Sequence, residues 1–132
     1  MNHLADGLVV LILVLHLYIV MLETVFFEQR GFKVFGFNRK DIPLLKPALA
    51  NQGCYNCFLV AALALGLMYP NPEIASAFRL YGLGCVAIAG VFGALTVKRS
   101  IFFVQTLPAL LALGAFLTRQ ALTNPKVEGT VA

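Results

Sequence analysis

Charge is what this sequence has least of. Asp, Glu, Lys and Arg supply 12% of its 132 residues, about half the share of ordinary soluble domains. A cysteine framework is missing too. Three cysteines, an odd number without regular spacing, exclude a disulfide scaffold. The start of the chain, Met1 to Asp6, has no Lys or Arg, and no A-x-A pattern ends the apolar run that follows. That run is therefore expected to be a retained span and not a cleaved signal peptide. There is no basic face either. The +4 net charge comes mostly from two short segments beside apolar stretches, a placement that cannot follow a phosphate backbone, so nucleic acid is not an expected partner. No ligand set completes a metal site, and no cofactor is expected.

Apolar side chains make up 60% of the residues, against roughly 45–50% in soluble domains. A chain of this length cannot hide that much apolar surface in water, so its solvent is lipid. A transmembrane helix needs about 20 mostly apolar residues to cross a hydrocarbon core of roughly 30 Å. Four stretches qualify, at about 7–27, 48–69, 76–97 and 101–122. Pro47 is placed to start the second and Pro70-Asn71-Pro72 to stop it; Ser100 is a candidate cap for the fourth, which Asn124-Pro125 closes. Arg79, near the start of the third, has a stem long enough to snorkel to the headgroups. Backbone groups in lipid must pair internally, and the runs are too long for barrel strands. The expected fold is an all-α integral membrane four-helix bundle, one domain over residues 1–132.

Lys and Arg in short loops orient such a bundle. Arg30, Lys33, Arg39, Lys40, Lys46, Lys98 and Arg99 fall on one side, and Arg79, Arg119 and Lys126 on the other. Seven against three puts both termini on the outer, periplasmic side and the basic loops in the cytoplasm. In the first loop, residues 29–46, Phe32, Phe35 and Phe37 alternate with cations. It reads as an amphipathic connector whose rings enter the acyl boundary.

Helices in lipid associate through close packing and interhelical hydrogen bonds. Cys85, Ala89 and Gly93, flanked by Gly82 and Thr96, form one four-step stripe of small residues, and Gly53, Cys57 and Ala61 form another. Pro108 inside the fourth span frees the carbonyl of Val104 and is expected to kink the helix, with Gln105 beside the break.

Ionisable groups inside a membrane cost about 2.5–3.5 kcal/mol on insertion scales and so need a reason. His16 falls near the middle of the first span, and Glu23 lies two turns later on nearly the same face. Counting inward from the basic loops at about 1.5 Å per residue puts Glu23, Asn51, Gln52, Asn56, Thr96 and Gln105 at a similar depth. The outer half of each span is almost purely aliphatic. These groups either hold the bundle in register or line a polar pocket opening toward the cytoplasm, in which Glu23 holds or passes a proton with His16 as partner. Cys54 and Cys57 have the C-x-x-C spacing of redox motifs. Without a second pair they read as packing residues.

The pattern of His16-Leu17-Tyr18 with Leu22-Glu23, Lys33-Val34-Phe35-Gly36, Asn51-Gln52-Gly53 with Tyr55-Asn56, Ala89-Gly90 with Gly93, Thr96-Val97, and Phe103-Val104-Gln105 with Pro108-Ala109 resembles the domain of unknown function 1304 family. The resemblance covers nearly the whole chain. It implies a small, mostly bacterial, four-span protein of the inner membrane and carries no assigned activity. Members often have an acid immediately before the histidine, where this chain has Leu15.

Three readings follow. The first is a protein that binds or moves a small apolar molecule, with His16, Glu23, Asn51, Gln52, Asn56 and Gln105 as its ligand-binding candidates. The second is a membrane-embedded acid–base enzyme, isomerase-like, acting on a lipidic substrate; no catalytic residue is assigned beyond Glu23 and His16 as the acid–base pair. The third is an accessory subunit of a larger membrane assembly, with another membrane protein or a second copy as partner beside the lipid bilayer.

Overall fold

A computed structural model describes residues 2–123. The Asn124-Pro125 stop and Lys126 lie outside the described residues. α1 (Asn2–Glu23) leads through a π-helical turn (Phe27–Gly31), the one-turn helix α2 (Phe32–Val34) and a 3-10 turn (Arg39–Asp41) into α3 (Ile42–Met68). α4 (Pro72–Thr96) follows, then a second π-helical turn (Phe102–Thr106) and α5 (Leu107–Thr123). No strand occurs among the described residues. Four helical stretches, His3–Glu23, Arg39–Met68, Pro72–Thr96 and Phe102–Thr123, are long and apolar enough to cross a membrane. Only 22–28% of each is buried inside the bundle. The apolar remainder needs lipid to cover it, and the chain is a multi-pass membrane protein.

Local chemistry sets most of the helix ends. The Asn71 side chain accepts from the backbone N–H groups of Glu73 (2.9 Å) and Ile74 (3.1 Å), capping α4 where Pro72 begins it. Tyr69, just before Pro70, is extended and ends α3. The start of α3 departs from the sequence expectation. The helix begins at Ile42 and carries Pro47 inside it. Pro47 and Pro43 are both exposed, so the carbonyl that Pro47 leaves unpaired can be solvated.

α1, α3, α4 and α5 form a ring in which each packs on the next, and α5 closes on α1. Val9 and Ile12, Leu63, Leu83 and Val86, and Ala109 and Ala112 meet at its centre. The small-residue stripes are met in part. Gly53 on α3 and Gly82 on α4 are buried as expected and Gly93 packs on Ile101, whereas Cys57 and Ala61 are exposed and Gly90, one residue from Ala89, is the buried glycine. Small side chains occur on adjacent faces of both helices, and what packs opposite decides which face is used. Gly90 receives the second π turn, since a Cβ there would come within 2.8 Å of the Thr106 backbone nitrogen.

The first connection also differs from expectation. Phe27 and Phe32 are buried in the protein and not in lipid, and Phe35 and Phe37 are half-buried. Gly31 allows this, because a Cβ there would run into the carbonyl of Leu22. Gly36, at φ +80°, then reverses the chain in a conformation other residues avoid.

Arg79 does not snorkel. Its Nη1 donates to Asp6 Oδ1 (2.5 Å) and its Nε to the Gly66 carbonyl (2.5 Å), while the Phe116 ring lies 5.6 Å from the guanidinium. Arg119 stands 3.7 Å from the same Asp6 oxygen. A Cβ on Gly66 would lie 2.6 Å from Arg79 Cγ and 3.0 Å from its backbone nitrogen, whereas Gly84 faces open space. Gly66→Ala is therefore expected to melt below Gly84→Ala in detergent. Both gain the same helix propensity, so the difference isolates the clash, about 1–3 kcal/mol. Equal melting temperatures would remove the close α3–α4 contact from the account.

Candidate functional site

Glu23 closes α1 and is 6% exposed. Its Oε2 accepts a hydrogen bond from Asn56 Nδ2 at 2.7 Å, joining α1 to α3. Gly53, one turn before Asn56, makes the approach possible. A Cβ there would sit 2.5 Å from Thr24 Cγ2 and 3.4 Å from Glu23 Cβ. Thr24 in turn donates to the Val20 carbonyl (2.6 Å), satisfying the end of α1.

This pair borders a cavity of about 800 Å³ at the end of the bundle carrying the two basic loops. That is within the roughly 300–1,000 Å³ of small-molecule sites. α1, α3, α4, the first connection and the second π turn all contribute to its wall. Glu23, Gln52, Asn56 and Gln105 are among its polar groups, set among aliphatic side chains and the rings of Tyr18, Phe35, Phe37 and Phe92. Lys98 and Ser100 lie at its loop end. Thr96 also borders it, with its hydroxyl committed to the Phe92 carbonyl of its own helix (2.7 Å).

The candidates named from sequence separate into three groups. Glu23 and Asn56 touch, and Gln52 and Gln105 share the cavity wall with them. Asn51 is exposed and outside that wall. Five residues along a helix is a rotation of about 140° away from Asn56, whereas Gln52 is only about 40° off. His16 is also outside the wall, 0% exposed in the protein interior. Its Nδ1 lies 2.9 Å from the Ile12 carbonyl, which can only accept, so Nδ1 carries the proton. Nε2 has no hydrogen-bond partner among the described residues. Cys54 and Cys57 are exposed on α3, and Cys85 borders the cavity.

Two polar features were not singled out from sequence. Thr106 is buried and donates to the Ala87 carbonyl (3.2 Å), so it and not Gln105 links the second π turn to α4. The Asp6–Arg79 pair was legible only by counting depth from the other end of the spans, where opposite charges lie at matching positions.

A family model described as "Protein of unknown function (DUF1304)" matches residues 10–117. No curated protein and no solved structure matches the chain.

An unpartnered buried nitrogen costs about 1–3 kcal/mol, and the Nδ1 bond returns about 0.5–1.5. The Ile12 carbonyl would keep the His16 backbone N–H after substitution. His16→Leu is therefore expected to melt at or above the wild-type temperature in detergent. A clear fall would mean that Nε2 has a structural partner.

Proposed function

We propose that this chain, which belongs to the DUF1304 family of proteins of unknown function, binds a small, largely apolar molecule in the cavity beside Glu23. One observation carries the reading. The cavity is apolar over most of its wall, Glu23 of α1 meets Asn56 of α3 there, and Gln52 and Gln105 border the same cavity. A ligand that fits such a site buries apolar surface for affinity and is oriented by a small number of hydrogen bonds. Glu23 is the ionisable centre. Asn56 holds its Oε2, and Gln52 and Gln105 offer amide groups to the ligand's polar end.

The charge bias of the loops supports an orientation. Seven of the ten basic residues lie on the cavity side, so the cavity faces the cytoplasm and both termini face the periplasm of a bacterial inner membrane. An acid–base enzyme would need His16 and Glu23 at the same reacting molecule. His16 is outside the cavity wall, and binding or movement of a ligand is the reading the geometry supports better.

Purified protein in nanodiscs, screened against a lipophilic library by thermal shift, is expected to yield compounds that raise its melting temperature. Glu23→Gln keeps a side chain that Asn56 can still bond, so it is expected to fold and to lose at least half of that shift. Asn56→Ala, which leaves the carboxyl unoriented, is expected to do the same. Full shifts in both variants would sink the proposal.

A further inference from the structure

The wall of the cavity is unbalanced in charge. Glu23 is a buried acid whose hydrogen-bond partner is a neutral amide, and no Lys, Arg or His stands within ion-pair distance of it among the described residues. The contrast with two other acids is direct. Asp6 meets Arg79 and Arg119, and Glu28 meets Lys46. Both of those acids are more exposed than Glu23 and need a counter-charge less. A carboxylate offers about four acceptor sites on two oxygens, and the Asn56 amide fills one of them on Oε2. Its other oxygen, Oε1, makes no hydrogen bond among the described residues.

The wall of the same cavity includes Tyr18, Phe35, Phe37 and Phe92. Aromatic rings attract a cation without hydrogen bonds. The one basic side chain of the wall is Lys98 at the loop end, where it is exposed and its field is screened by water and salt. Tyr18 and Cys85 are the remaining titratable groups of the wall. A buried acid without a cation, on a wall otherwise made mostly of rings and aliphatic side chains, is complementary to one class of molecule.

We infer that the ligand is a lipophilic cation, an amine or a quaternary onium ion carrying apolar groups, with its positive charge at Glu23 and its apolar groups against the aromatic wall. This rests on the pocket reading above and adds the sign of the ligand's charge. A cation can meet both Oε1 and the rings, whereas a neutral donor uses only the oxygen and an anion is repelled by an ionised Glu23.

Charge-matched probes test the sign. The full chain is placed in phosphatidylcholine nanodiscs, which carry no net surface charge. Its melting temperature is then titrated with tetraphenylphosphonium and with its near-isosteric anion tetraphenylborate. Benzyltrimethylammonium and its neutral isostere neopentylbenzene form a second pair. Both cations are expected to raise the melting temperature with at least tenfold lower half-saturation concentrations than their counterparts. Glu23→Gln is expected to abolish that preference and Glu23→Asp to retain part of it. If a cation and its isostere bind alike, the charge inference falls and the pocket reading stands. If no probe of any charge binds, both fall. The wild-type comparison does not depend on the variants folding.

Discussion

The Arg79 guanidinium is held by every other long helix at once. Asp6 of α1 neutralises it, the Gly66 carbonyl of α3 accepts from it, and the Phe116 ring of α5 lies beside it. In lipid no hydrophobic drive pulls helices together, because tails are as apolar as the side chains they would displace. A charged group that can be satisfied only by three neighbours together supplies a constraint that packing alone does not. It also ties together the vertical register of the helices, since a slip of one turn, about 5.4 Å, would separate Arg79 from Asp6 and from the Gly66 carbonyl.

A bundle clasped at one end can differ at the other. There the helix ends are set apart by wide turns. The π winding at Phe27–Gly31 turns Phe27 and Phe32 inward, and the π winding at Phe102–Thr106 precedes Pro108, whose missing N–H prevents a regular ladder at that level. Glycines bring backbones together beside these turns, with Gly53 against Thr24 and Gly90 against Thr106. Between the close contacts, the half-buried rings of Phe35 and Phe37 border open volume instead of filling it. The cavity follows from this geometry. It lies where two non-α turns and a reversed connection stop the helices from packing side by side.

Much of this was legible in the sequence, and the parts that were not have identifiable causes. The spans were readable because lipid imposes a length and a composition on any helix that crosses it. Glu23 and Asn56 were readable as neighbours because a depth count from the basic loops puts both at one level, and the structure brings them to 2.7 Å. Asn51 was included on depth alone, without its rotation about the helix. The same count, made from the opposite end, would have matched Asp6 with Arg79; reading Arg79 as a snorkelling side chain hid the pair. The stripes were met at Gly53 and Gly82 and missed at Cys57 and Ala61 because four-step spacing identifies a set of candidate faces. Only the opposing backbone, Thr106 or Arg79, selects among them. The inward turn of Phe32 depends on Gly31 reaching the Leu22 carbonyl, a contact between residues whose proximity no periodicity reveals.

The two ends of the bundle handle acidity in opposite ways. At one, Asp6 is half-exposed and meets two guanidinium groups, so its charge is more than compensated. At the other, Glu23 is buried and meets an amide. Interhelical hydrogen bonds in membranes return only about 0.6 kcal/mol on average, and Glu23, the last residue of α1, has no cationic partner among the described residues to offset its burial. A glutamine at the same position could bond Asn56 without an ionisable group. An unfavourable group that structure does not repay is expected where function uses it. Arg79 can be explained by the fold it holds together; Glu23 is not, and the proposed ligand would supply its reason.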